Sequence, residues 1–297
     1  MIISVSRRTD IPAFYADWFM QRIREKYCTV VNPFNRNQVS RVSLLPDDVE
    51  AMVFWTKNAE PFLSHLDELD ALGHRYYFQY TLNGYGKSFE PHVPQLEACI
   101  ETFLELSARI GPGKVIWRYD PVIFSNLTDV QYHQERFAYI LERLKGATNR
   151  ITISIVDDYR KAAVNFRRLL AQKIEVQKDP DADQLKKLCT AMSQQARAAK
   201  LQINSCAEII ELSAFGIVPG KCVDDNLIFE LFGIRVSGEK DKSQRQQCGC
   251  VKSKDIGFYD TCLHGCAYCY AGTLESASRN LIQHEGGSSS LLGRRQE

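Results

Sequence analysis

Residues 75–81 read RYYFQYT, residues 94–112 read PQLEACIETFLELSARIGP and residues 114–119 read KVIWRY. The first and third stretches are short and rich in aromatic or β-branched side chains, and so predict strands. In the second, Leu96, Cys99, Ile100, Phe103 and Leu106 recur at helical spacing, and Gly111 and Pro112 end the run. Strand, helix, strand is the unit that lets two strands run parallel, because the chain must cross back between them. The same rhythm extends outward in both directions. Further strands are predicted at Met1–Val5, Cys28–Val31, Ala51–Trp55, Arg150–Val156 and Leu201–Asn204. A helix opens with Thr128 and Gln131 in capping-box spacing and closes at Lys145-Gly146. Another runs from Asp183 to Ala199, with Leu185, Leu188 and Met192 in a stripe. Seven alternations predict an α/β fold with a parallel sheet closed as a (β/α) TIM-like barrel. No glycine-rich dinucleotide fingerprint follows the first strand, which argues against an open doubly wound sheet.

On this reading residues 1–236 form the barrel-like domain. Residues 237–285 are a Cys-rich segment that completes it, beginning with a polar stretch, and residues 286–297 are Gly/Ser-rich and expected to be a disordered tail. The composition is that of a globular chain, 44% hydrophobic and 25% charged. Net charge is +1, so no global field attracts nucleic acid or anionic lipid. The apolar run at Met1–Val5 is broken by Arg7, Arg8 and Asp10 and does not read as a secretory signal, and no uncharged apolar run reaches bilayer length, so a cytoplasmic protein with no membrane contact is expected. In a reducing compartment the ten cysteines are buried thiols or ligands rather than a disulfide framework.

Five of those cysteines fall within residues 248–269. Residues 259–270 read YDTCLHGCAYCY, which sets Cys262, Cys266 and Cys269 in a CxxxCxxC spacing with Tyr268 just before the last. This loop resembles the signature of the radical S-adenosylmethionine superfamily. Three thiolates hold three irons of a [4Fe–4S] cluster and leave the fourth iron open. The resemblance implies that S-adenosylmethionine chelates that iron, and that one electron through the cluster releases a 5′-deoxyadenosyl radical. It also implies an electron donor such as a ferredoxin or flavodoxin. The text from Cys262 to Ala271 is similar to the DNA-repair-photolyase branch. The wider pattern is narrower in kinship: Cys248-Gly-Cys250, Ser253-Lys-Asp255-Ile-Gly257-Phe-Tyr259-Asp-Thr-Cys262, Ser205-Cys206-Ala207-Glu208, Gly216-Ile217 and Gly220-Lys221-Cys222 together resemble the DUF1848 family. That family has a C-terminal cysteine cluster likened to the N-terminal cluster of radical enzymes.

The superfamily loop usually follows the first barrel strand, whereas here it lies near the C-terminal end of the sequence. A permutation reconciles the two, with a last strand near Gly257–Asp260 pairing beside Met1–Val5. Met1–Val5 then matches the usual second strand, where a Gly-Gly-Glu motif binds the methionine amino group. This chain has Arg7-Arg8-Thr9-Asp10 there instead. By resemblance, Tyr268, Arg7, Arg8 and Asp10 are the expected cofactor-binding residues.

Other metal chemistry stays open. Cys266 and Cys269 with Cys248 and Cys250 make a zinc tetrathiolate set, and a ferredoxin-like cluster would transfer electrons without radical chemistry. Cys206, Cys222, Cys248 and Cys250 are either buried thiols or ligands of a second iron–sulfur cluster or zinc. Cys28, Cys99 and Cys189 read as core residues.

In barrels catalytic groups gather at the carboxyl ends of strands. That rule selects Arg8, Asp10, Lys57, Arg118, Asp120 and Glu208 as candidate catalytic residues, with Asn32, Thr56, Gln79, Thr81, Ser154, Asp157 and Asn204 beside them. Arg118 and Arg8 are expected to grip an anionic group, since a guanidinium fork matches carboxylate or phosphate. Pairing of these charges with one another at the rim is the competing expectation. His264 either hydrogen-bonds a cluster sulfide or, more simply, faces solvent; the other histidines read as surface or structural. The substrate is open: a small molecule, or a DNA lesion on the photolyase likeness. Nucleic acid is weakly supported, because the aromatic stripe at Tyr76, Tyr77, Phe78 and Tyr80 lacks basic interleaving.

Overall fold

The computed structural model describes residues 1–32, 35–157 and 160–293. Eight strands form one parallel sheet: β1 (Ile2–Val5), β2 (Ala51–Thr56), β3 (Tyr76–Thr81), β4 (Val115–Val122), β5 (Arg150–Ile155), β6 (Gln202–Ser205), β7 (Val218–Pro219) and β8 (Lys254–Asp255). Their spatial order is β7-β6-β5-β4-β3-β2-β1-β8. Six of the seven strands read from sequence are in this sheet. The seventh is a strand in the wrong place: Tyr27–Asn32 pairs antiparallel with Asn35–Ser43, off the main sheet.

The helices between β1 and β6 pack on one face. Trp18, Phe19, Ile100, Phe103, Phe137, Ile140, Leu188 and Met192 pack against Ile3, Val5, Phe54, Phe78, Trp117 and Ile153 in one buried cluster. That one-sided winding belongs to a barrel, but the expected closure is not formed. Among the described residues no ladder joins β7 to β8, each only two residues long. The reason lies on the other face. There Ile2, Ala51, Val53, Tyr77 and Ile116 pack against Val223, Leu227 and Ile228 of the helix Asp225–Phe232 and its lead-in, and against Cys248, Cys250 and Val251. In a closed (β/α) barrel the strands' own side chains fill that space. Here a helix and a cysteine-bearing segment occupy it and hold the sheet open.

The predicted helices form as Leu96–Ile110, Val130–Arg143 and Ala182–Ala198, the last with an Asp181/Gln184 capping box. The cap of the second is Asp129, which accepts from Tyr132 N at 2.8 Å, rather than Thr128. The expected disordered tail is ordered where it is described. Trp18 Nε1 donates to Ser288 O at 2.9 Å, Thr29 N donates to Ser289 O at 2.7 Å, and Leu291 is buried. Residues 294–297 lie outside the described residues.

One buried histidine gives this scaffold a pH signature. His133 Nε2 donates to Ile123 O at 2.9 Å and Nδ1 accepts from the Tyr119 hydroxyl at 2.8 Å, so the neutral ring satisfies both partners. Burial pushes its pKa down to about 4. The unfolded chain takes up this proton first as pH falls, near 6.5. The stabilisation is therefore complete above about pH 6.5 and is lost as pH falls towards 4, by about 3 kcal/mol at most. Thermal unfolding between pH 7.5 and 5 should show a falling melting temperature, and His133→Gln should flatten that slope.

Candidate metal and cofactor site

The carboxyl ends of β1, β2, β4, β5 and β6 open onto a cavity of about 430 Å3. Cys206, Cys222, Cys248, Cys250, Cys262, Cys266 and Cys269 all line it. So do Arg7, Arg8, Asp10, Lys57, Arg118, Asp120 and Tyr268. Of the residues singled out as catalytic, cofactor-binding or metal-ligating from sequence, Glu208 alone does not.

The CxxxCxxC loop reaches this cavity through a strand–loop–helix unit beside β1. In β8, Lys254 and Asp255 pair parallel with Ile3 and Ser4. The strand lies slightly upstream of its expected place, Gly257–Asp260, and Asp255 explains why. Its carboxylate accepts from Ser4 Oγ at 2.8 Å, Ser6 Oγ at 2.6 Å and Arg7 N at 2.8 Å, which locks the register. Gly257 follows at a close approach, where a Cβ would stand 2.2 Å from Ser6 Oγ. The loop then turns at Gly265, whose φ of +68° suits glycine, and leads into the helix Leu274–Leu281. Protein contacts hold the loop in place. Tyr15 OH donates to Thr261 O at 2.7 Å, His92 N to His264 O at 3.2 Å, and Ala267 N to Phe89 O at 2.9 Å.

Cys266 is buried, and Cys262 and Cys269 are half-buried. Burial pushes the Cys266 thiol up to about 12 and raises the other two, with the neighbouring thiols adding to the rise at Cys262. Without a metal these sulfurs are protonated, so loading releases protons. Among the described residues no three His, Cys, Asp or Glu side chains converge to hold a single metal ion. A cluster asks for something else, because each thiolate takes a different iron. The donor set fits such a group: three thiols from one pinned loop on one cavity. Buried polar atoms agree. Arg7 Nη2, Thr9 Oγ1 and His264 Nδ1 lack a hydrogen-bond partner among the described residues, and all three residues line this cavity.

Several strand-end residues are already engaged. Asp10 caps the helix Ile11–Phe14 through Ala13 N, and its other oxygen accepts from Lys57 N at 2.7 Å and His264 Nε2 at 2.8 Å. It ties the ends of β1 and β2 to the cysteine loop. His264 is buried, not solvent-facing. Arg118 does not present a free fork: Nε donates to Asp120 at 2.9 Å, and Nη1 donates to Gln79 Oε1 at 3.1 Å and Cys222 Sγ at 2.8 Å. Ser154 Oγ holds the other Asp120 oxygen. Although burial opposes it, the Arg118 charge keeps Asp120 below the usual carboxylate range. Here the competing expectation of mutual pairing prevails. Arg8 lies 5.1 Å over the Tyr259 ring and 3.9 Å from Asp255. Arg7 lies 5.0 Å over Trp55. Glu208 accepts from Ile155 N at 2.8 Å, and burial raises its pKa to about 8.

Sequence reading missed Glu90. Its Oε1 accepts from Lys57 Nζ at 2.8 Å, from Asn83 Nδ2 at 3.3 Å and from the Tyr268 hydroxyl. Glu90 thus fixes both Lys57 and the aromatic of the CxxxCxxC loop. It sits in the Gly- and Pro-bearing stretch after β3, which has no periodicity to mark it.

A family model for a domain of unknown function, DUF1848, matches residues 2–271. The chain belongs to this family. The DUF1848 match takes in every strand of the sheet and all seven cavity cysteines. Comparison with curated proteins and with solved structures found no match. No helix among the described residues is long and apolar enough to cross a membrane.

Proposed function

We propose that this DUF1848 protein is an iron–sulfur enzyme of the S-adenosylmethionine-radical type, with a [4Fe–4S] cluster on Cys262, Cys266 and Cys269. The observation that carries this reading is the strand–loop–helix unit beside β1: it presents three thiols, with no fourth cysteine in the loop, to the same cavity as the polar strand ends. On this view the sheet is a permuted relative of the radical core barrel, left open by the helix Asp225–Phe232. Bound there, the cluster supplies one-electron reduction and an open iron for the amino and carboxylate groups of S-adenosylmethionine.

The chain's own residues do the rest. Asp10 orients His264 and holds the Lys57 backbone, Glu90 orients the Lys57 ammonium and Tyr268, and Arg7 and Arg8 offer cations at the β1 end for a carboxylate. A cavity of about 430 Å3 suits a cofactor and a small-molecule substrate rather than a duplex end. An oxygen-sensitive site of this kind belongs in a reducing cytoplasm with a ferredoxin- or flavodoxin-like electron donor.

Electron paramagnetic resonance of anaerobically purified, dithionite-reduced protein tests the reading. A reduced-cluster signal that changes on adding S-adenosylmethionine is the expected result, with 5′-deoxyadenosine released on turnover. An intact cluster blind to S-adenosylmethionine would reduce the protein to electron transfer. A colourless protein with zinc on the loop would remove the reading altogether.

A further inference from the structure

Four of the cavity thiols lie outside the CxxxCxxC loop, and the fold gathers them from three separate segments. Cys206 directly follows β6, Cys222 precedes the helix Asp225–Phe232, and Cys248 and Cys250 lie ahead of β8. Cys206 Sγ stands 3.3 Å from Cys222 Sγ. Cys250 Sγ in turn lies against the backbone N–H of Cys222, and Cys248 stands two residues before Cys250. None of the four is in a disulfide.

The surroundings treat these sulfurs as acceptors. Cys222 N and Val223 N donate to Cys250 Sγ at 3.2 and 3.4 Å, and Arg118 Nη1 donates to Cys222 Sγ at 2.8 Å. N–H groups aimed at sulfur favour the thiolate, the form that binds metal, and are the outer contacts a thiolate site needs. Arg7, with its buried and unpartnered Nη2, faces Cys250 and Cys222 as a second cation. A divalent ion on four thiolates carries a net negative charge, which these two guanidiniums offset.

We propose that Cys206, Cys222, Cys248 and Cys250 together hold one divalent metal ion of the zinc type, separate from the loop cluster. The short approach of Cys206 to Cys222 favours a single ion over a second cluster. Sulfurs on one tetrahedral ion at 2.3 Å stand about 3.8 Å apart, close to the 3.3 Å between Cys206 and Cys222. Ligand sulfurs of a cluster sit on different irons and stand further apart. As they lie, the four line one cavity with Cys206 and Cys222 in contact, not converged on one point. Loading draws Cys248 and Cys250 towards the Cys206–Cys222 pair.

The ion's task is to staple the segment before β8. Residues 237–247 are polar and contribute no side chain to either apolar core cluster. Yet Ser243, Gln244 and Arg245 form part of the cavity wall. Cys248 and Cys250 anchor that wall to the ends of β6 and of the stretch before the helix Asp225–Phe232. This site depends on no property of the loop cluster.

Metal analysis of the full chain, purified anaerobically without added metal, gives the test. The wild type should hold about one zinc per chain in addition to its iron. Cys250→Ser and Cys206→Ser should each lower zinc at least tenfold and keep the iron, while Cys266→Ala should lose iron and keep zinc. Zinc retained in Cys250→Ser, or iron near eight per chain with no zinc, overturns the proposal. If the serine variants do not fold, wild-type protein stripped by chelator and titrated with Co2+ serves instead. One equivalent giving the thiolate charge-transfer and tetrahedral ligand-field bands supports the site. Co2+ without those bands, with Cys206, Cys222, Cys248 and Cys250 all alkylated freely in the folded protein, overturns it.

Discussion

Cys266→Ala is expected to yield a folded but colourless protein holding less than a tenth of the wild-type iron. In the proposed cluster each loop thiolate takes one iron, so removing one leaves a corner with no protein ligand. Cys266 is the buried member of the three, and in that cluster Cys262 and Cys269 hold other corners. The fold should survive, because the loop is held by Tyr15, His92 and Ala267 through bonds that involve no sulfur. Cys99→Ala is the matched control. Cys99 is equally buried, but its thiol points at Lys57 O (3.6 Å) and Pro94 O (3.8 Å), and it does not line the metal cavity. It should keep full iron at a cost of about 1 kcal/mol for the lost thiol packing. Iron and sulfide analysis with visible absorption reads both variants. Iron retained in Cys266→Ala would move the cluster off this loop.

Glu90→Ala should be the most destabilising single change around the cavity, by about 3–5 kcal/mol. The side chains of Lys57 and Glu90 are only 14% and 4% exposed. Removing the carboxylate leaves an ammonium in low dielectric, and it also strips the acceptor from Tyr268 and Asn83. For a chain of this size that is a fall in melting temperature on the order of 10 °C. Replacing both partners with apolar residues, Lys57→Met with Glu90→Leu, should recover most of the loss, because neither charge is then stranded. Denaturant unfolding of the two single variants and the double gives the coupling. A coupling below about 0.5 kcal/mol would mean the pair is not the buried unit described.

The strands were legible because β-branched and aromatic runs of five or six residues, such as 76–81, can be little else. What such runs do not carry is a partner. Cys28–Val31 looks like any sheet strand, and only the polar, alternating Asn35–Ser43 beside it makes it one arm of a hairpin. Closure failed for a similar reason. Val218–Pro219 and Lys254–Asp255 have no strand-forming pattern, and the apolar side of the helix Asp225–Phe232 does not say which face of the sheet it will cover. The cysteines were legible by spacing alone. That Cys206 and Cys222 would meet Cys248 and Cys250 was not, since the contact is made by the fold. The charges at strand ends line the cavity, and several of them pair with one another. Arg118 and Asp10 spend their polar atoms on Asp120, Cys222, Lys57 and His264.

The pairing of β8 with β1 also sets a timetable. Ile3 meets Lys254, roughly 250 residues later in the chain. During synthesis at 5–20 residues per second, that flank of β1 stays unpaired for roughly 12–50 s. For that interval an apolar strand edge is open to wrong partners. Insertion of the proposed cluster can begin only once Cys269 has been made, after every strand of the sheet, so a product terminated before the loop is expected to carry most of the sheet and no iron.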